Sequence, residues 1–164
     1  MKTKLTLLAV LMFSVLFAQK KKNGTIYIEH PYIEIVEEFN KAYVTGDVEK
    51  IKSLVSDEFS WRNSTMRNEP GKLSQLIGRS NYLSKNIQDF NIKHYGGSYP
   101  DAFEYKKDNI VDVMTYTWLT GYDKNTGVSL NMPRYANFRI NNSGKIVSIN
   151  ILSLIHISEP TRLP

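Results

Sequence analysis

The chain has 164 residues, no cysteine, and 21 Lys and Arg against 16 Asp and Glu, a formal net charge of +5. Without cysteine there is neither a disulfide framework nor a thiolate metal site. The excess charge lies at the ends: setting aside Lys2, Lys4, Arg162 and Glu159 leaves 18 basic against 15 acidic residues, and setting aside Lys20, Lys21 and Lys22 too leaves 15 against 15. A neutral body with interspersed signs argues against a nucleic-acid face.

In chain order, the first segment carries Lys2 and Lys4, an uncharged run over residues 5–17, and Ala18. This is the layout of a secretory signal peptide over residues 1–18, so export to the periplasm or medium is expected, with cleavage after Ala18. The run is shorter than the ~20 residues of a membrane span, and no cysteine follows it to carry a lipid, so no membrane anchor is expected after cleavage. At the other end, the segment from Leu152 to Arg162 resembles a translated sequencing-library adapter. Residues 152–164 are therefore expected to be a non-native tail behind a single domain over residues 19–151, a length that fits one core.

Within that domain Pro31 suits a helix start, and Tyr32, Ile35, Val36, Phe39 and Tyr43 recur at three- and four-residue steps on one face. Gly46 is suited to a left-handed cap that ends this helix, and Asp47 to capping the next, whose buried stripe is Val48, Ile51, Leu54 and Val55. Residues 58–63 alternate, with Phe59, Trp61 and Asn63 on one face, the pattern of a strand with one covered side. Leu73, Leu76, Ile77, Leu83 and Ile87 predict a third helix, weakened by Gly78. Strands are predicted over residues 90–95, 102–105, 110–122, 130–140 and 145–151. Turns fall at Gly96-Gly97, Lys107-Asp108-Asn109, Asp123 to Gly127 and Asn142-Ser143-Gly144.

The hairpin broken at Thr45-Gly46-Asp47-Val48, followed late in the chain by Asn137-Phe138-Arg139-Ile140-Asn141-Asn142-Ser143-Gly144-Lys145-Ile146, resembles the nuclear-transport-factor-two-like superfamily and its SnoaL-like domains. The resemblance implies an α+β fold in which a cone-shaped, curved antiparallel sheet packs against three N-terminal helices around an internal pocket. It also implies a small organic molecule as partner and a possible homodimer through the outer sheet face. The scaffold carries isomerases, cyclases, binders and interaction modules alike, so the fold does not choose between them. The ketosteroid isomerase pattern can be tested residue by residue. Its tyrosine, its catalytic aspartate and its oxyanion-holding aspartic acid fall on Phe39, Asn63 and Ala136, none of which has the required proton chemistry. Steroid isomerisation is therefore not expected, and SnoaL-like cyclase chemistry has Asp112 as its one candidate acid-base group.

Alternation predicts the pocket walls. Phe138 and Ile140 are the apolar positions of their strand, which puts Ala136 and Arg134 on the same inward side. An inward arginine at a cavity mouth suits a carboxylate or phosphate through two charge-assisted bonds. Trp61 and Asn63 face inward from the first helix-flanked strand, and Asp112, Met114, Tyr116 and Trp118 share one face of the long central strand. The expected ligand-binding set is thus Trp61, Asn63, Asp112, Tyr116, Trp118 and Arg134, for a partly apolar and anionic molecule. Aromatic clusters also make ordinary cores, so a core and rim role stands beside this one. For Asp112 the alternative is a solvated strand edge; for His94, a surface or structural role; for His30, a place at the helix entry. No metal site is expected from His or carboxylate spacing, and no cofactor from Gly-rich loops; catalytic residues are not identified.

Overall fold

A computed structural model describes residues 22–64, 69–96, 99–107 and 110–153. The expected leader over residues 1–18, residues 154–164 of the expected tail, and Gly97, Asp108 and Asn109 of two expected turns lie outside the described residues.

Helix α1, Pro31–Thr45, starts where His30 Nδ1 accepts the Tyr32 N–H at 3.1 Å, with Pro31 in its first turn. It stops at Gly46, whose φ of 73° lies in the left-handed region that a Cβ disfavours. Asp47 Oδ1 then accepts the Lys50 N–H at 3.0 Å and opens α2, Val48–Leu54. The third helix, α3, spans Leu73–Asn86 without a break at Gly78, because the missing side chain lies on the exposed face.

Seven strands form one sheet: β1 Gly24–Tyr27, β2 Val55–Asn63, β3 Ile87–His94, β4 Asp101–Tyr105, β5 Val111–Asp123, β6 Ser129–Ile140 and β7 Ile146–Ser153. Their order is β1-β4-β5-β6-β7-β2, with β3 pairing the second half of β5 beyond β4. The pairing is antiparallel, as expected of the curved sheet, except between β2 and β7, which run parallel. Strand β1 was not expected; it is short, mostly exposed and paired only to β4. Strand β7 continues through Leu152 and Ser153, pairing Tyr135 and Arg134.

The helices cover one face of this sheet. Phe39 of α1 meets Phe138 of β6 edge-on at 5.7 Å, and Val36, Ile51, Leu76, Val113, Ile140 and Ile149 are fully buried around them. Each such side chain contributes about 1.5–3 kcal/mol by leaving water. The Ser80 hydroxyl donates to the Tyr43 carbonyl at 2.7 Å in the interior, which fixes α3 against α1 and sets the position of the neighbouring Arg79.

Candidate functional site

Between the helices and the sheet lies a cleft walled by Phe39 and Tyr43 from α1, Leu76 and Arg79 from α3, Trp61 and Asn63 from β2, Leu119 from β5, Arg134 from β6, and Ile149, Ile151 and Ser153 from β7. Three of the six expected site residues, Trp61, Asn63 and Arg134, meet here. Trp61 is 4% exposed, and its ring N–H donates to the Lys72 carbonyl at 3.1 Å while its backbone pairs with Gly71, so the loop before α3 is tied to the cleft wall. The inward alternation of β6 is as expected: Arg134, Ala136, Phe138 and Ile140 are all buried.

The other three, Asp112, Tyr116 and Trp118, lie on the opposite face of the sheet. Val111, Val113, Thr115, Thr117 and Leu119 are the inward set of β5, so the side chains of Asp112, Tyr116 and Trp118 lie away from the interior cleft, although Tyr116 and Arg134 both border a depression on the outer face. Register decides it, since Arg134 pairs directly with Thr117, and directly paired residues share a face. The two inward threonines spend their hydroxyls on strand carbonyls, Thr115 on Ala136 at 3.4 Å and Thr117 on Arg134 at 3.3 Å, which removes the penalty of burying them.

Asp112 is neither an inward base nor solvated. It is 4% exposed on the outer face, where Arg139 donates to both carboxylate oxygens at 2.9 and 3.1 Å and Asn137 adds a bond at 3.4 Å. A carboxylate held this way is a structural ion pair and lies across the sheet from the cleft. His94, half-exposed, pairs with Glu37 at 3.2 Å between β3 and α1.

The outer face also holds a depression of about 640 Å³, walled by Tyr95, Tyr116, Thr117, Pro133, Arg134, Tyr135 and Leu152. Trp118 stacks on Tyr95 at 5.7 Å and 17°, and Tyr116 leans on Tyr135 at 5.1 Å. By contrast the interior cleft leaves only about 20 Å³, room for about one water.

What the cleft lacks in volume it has in charge. The Arg134 guanidinium, 6% exposed, donates to Asn40 Oδ1 at a long 3.4 Å and lies 5.7 Å from the centre of the Phe138 ring. No described carboxylate comes within ion-pair distance of it or of Arg79. Burial lowers its pKa to about 10, with nearby Tyr43 and Glu37 acting to raise it and Arg79 to lower it. Tyr43 is pushed above the usual tyrosine range by burial, against the pull of Arg79, which hydrogen-bonds its side chain, and of Arg134. At neutral pH the cleft therefore presents two guanidiniums and a neutral phenol. Arg79 and Tyr43 were not among the expected site residues. Tyr43 was legible only as core, and Arg79 occupies the exposed side of a helix read for its apolar stripe.

No family model matches the chain, and no curated protein matches it in sequence. Solved structures do match. A hypothetical protein with a ketosteroid isomerase-like fold from Catenulispora acidiphila DSM 44928, in complex with trimethylamine, is 15% identical, with a TM-score of 0.54 over 75% of this chain and 85% of that one. A Jannaschia sp. CCS1 protein assigned as a SnoaL-like polyketide cyclase is 13% identical, at 0.56 over 83% and 91%. The chain has the nuclear-transport-factor-two-like cone fold. BvnE pinacolase from Penicillium brevicompactum shares it at 14% identity, with a TM-score of 0.61 over 74% and 84%. At these identities the likeness is one of fold, and the chemistry of this cone rests on its own residues. Among the described residues no cluster of His and carboxylates is placed to hold a metal ion.

Proposed function

We propose that this is an exported protein that binds a small, partly apolar organic anion in the interior cleft, with the anionic head directed at Arg134. One observation carries the reading: a buried guanidinium stands in an aromatic cleft beside a second arginine, with no described carboxylate paired to either. An unpaired buried cation is costly to the fold, and a ligand oxyanion offsets that cost with two charge-assisted bonds in a partly dry site. The cleft leaves space for about one water, so the ligand enters only as side chains at its exposed end, Arg79 among them, give way. The enzyme alternative, an isomerase or cyclase working through a pocket acid-base group, finds no carboxylate or imidazole among the described residues of this lining.

Intrinsic fluorescence tests the reading. The chain has two tryptophans, so Trp118→Phe on the outer face leaves Trp61 as the only reporter, and it stands in the cleft wall. Small aromatic and acyl carboxylates titrated against this variant are expected to change Trp61 emission saturably, and Arg134→Gln to weaken them about ten- to a hundredfold. Affinity unchanged by Arg134→Gln refutes the reading.

The outer face supports a second, compatible element, a homodimer. Tyr95 and Tyr116 are 51% and 47% exposed beside Tyr135, and their depression offers rings and almost no polar atoms. Self-association through that face predicts a dimer by light scattering that Tyr116→Lys converts to monomer; a wild-type monomer at high concentration removes the idea.

A further inference from the structure

We infer that a single halide ion, chloride under ordinary conditions, occupies the interior cleft when no organic ligand has entered, held by the N–H groups of Arg134 and the hydroxyl of Tyr43. This rests on the reading of Arg134 as an anion site and names a second occupant of it, which the organic anion displaces.

Space selects the species. The cleft leaves about 20 Å³, room for about one water, and a chloride ion is little larger than a water molecule. It enters without moving the walls. A carboxylate brings a carbon skeleton, for which the packed side chains of the cleft must first make way.

Hydrogen bonding selects a halide over water. Arg134 is buried and lines the cleft, yet among the described residues the one hydrogen bond of its guanidinium runs from Nη1 to Asn40 Oδ1 at 3.4 Å. A guanidinium has five N–H groups, so most of its donors are left without an acceptor. Tyr43 is buried beside it, close enough that each acts on the charge of the other, and its side chain is hydrogen-bonded to Arg79. Because an arginine only donates, the phenol oxygen accepts from Arg79, and its own proton needs a different acceptor. Burial pushes the Tyr43 pKa up, so that proton stays in place at neutral pH. Arg134 cannot accept it. Water accepts from both residues, but it brings two hydrogens of its own to a wall made largely of Phe39, Leu76, Leu119 and Ile149, and it leaves a buried cation without a counter-charge. Chloride brings no hydrogens, accepts from every side and supplies the charge.

The test is thermal unfolding of the full chain at neutral pH and fixed ionic strength, with sodium gluconate, too large for the cleft, replaced stepwise by sodium chloride, bromide or fluoride. Chloride and bromide are expected to raise the Tm of wild type saturably, by about 4 °C at ten times the dissociation constant. Fluoride, which holds its water more tightly, is expected to do much less. Tyr43→Phe keeps the ring, removes the donor and is expected to weaken chloride about tenfold, and Arg134→Gln to abolish the saturable shift. A second readout needs neither variant: in Trp118→Phe, bromide is expected to quench Trp61 over the same concentrations that raise Tm, although Trp61 is shielded from collisions by burial. A Tm response without saturation, the same response in Arg134→Gln, or no quenching of Trp61 overturns the halide site. If chloride binds and no carboxylate does, the halide stands and the organic ligand of the previous section fails. If carboxylates bind while chloride neither shifts Tm nor weakens them, the halide fails and the organic ligand stands.

Discussion

Replacing Arg134 by methionine is expected to stabilise the protein while abolishing its ligand site. In the fold burial lowers the guanidinium pKa from its ordinary value to about 10, and at about 1.36 kcal/mol per pH unit the charged form is disfavoured by about 3 kcal/mol. Methionine removes that penalty in a similar volume. Against it stand the lost contact with the Phe138 ring, about 1 kcal/mol, and Asn40 Oδ1 left without its donor, about 1 kcal/mol for a bond already long at 3.4 Å. The balance is a gain of about 1 kcal/mol, or about 3 °C in Tm for a domain of this size. The sign of the pH dependence follows from linkage. Below pH 10 both folded and unfolded chains hold the proton and the full penalty is present. From about pH 10 up to the ordinary guanidinium pKa the unfolded chain holds it more tightly, so wild type gains stability on the variant as pH rises. Urea unfolding of both proteins at pH 7.5 and at pH 10.5 measures the gap and its narrowing. A variant less stable than wild type by about 2 kcal/mol or more would show that the fold itself satisfies Arg134, as removing one partner of a buried pair does, and would remove the main argument for an external anion.

Three further outcomes are expected. Gly121→Ala should destabilise by more than about 2 kcal/mol in urea unfolding, because at φ 151° an added Cβ would lie 2.4 Å from Ile87 Cγ2 and 2.9 Å from the Gln88 carbonyl; near-wild-type stability would mean the β3–β5 bulge yields easily. Asp112→Asn should cost about 1–2 kcal/mol, since Arg139 is half-exposed and reaches water when its partner is neutralised, and should leave carboxylate affinity untouched; lost affinity at unchanged stability would reassign Asp112 to the site. Intact-mass analysis of exported protein should find a terminus at or within a few residues of Gln19, and retention of residues 1–18 in mature material would end the export proposal.

The helical hairpin was legible because its signals are local: a proline in the first turn, a glycine at the left-handed cap and an aspartate at the next cap each act within four residues, and all three are where they were expected. Strand β1 carried no such signal, being a short edge strand whose partner lies far along the chain. The parallel pairing of β2 with β7 is non-local in the same way, with Trp61 opposite Ile149.

The site was half legible, and β5 shows why. Its two faces are Val, Val, Thr, Thr, Leu on one side and Asp, Met, Tyr, Trp on the other, and both are apolar enough for alternation alone to leave the inward face undetermined. Ring size pointed to the wrong face. The helices leave little room above the sheet because Phe39 and Phe138 already fill it, so the strand crossing beneath them presents small branched residues and sends its aromatics outward. The decisive information was in the hairpin. Once Arg134 is placed inward, the turn at Asp123 to Gly127 sets which residue of β5 lies opposite it. That residue is Thr117, and the same register brings Asp112 opposite Arg139, two charges that pair across strands on the outer face. The charge pair was visible in the sequence and fixes the parity of the whole strand. It leaves the interior with guanidiniums but no paired carboxylate, and that imbalance, which ring counting did not reveal, is what directs an anion to this cleft.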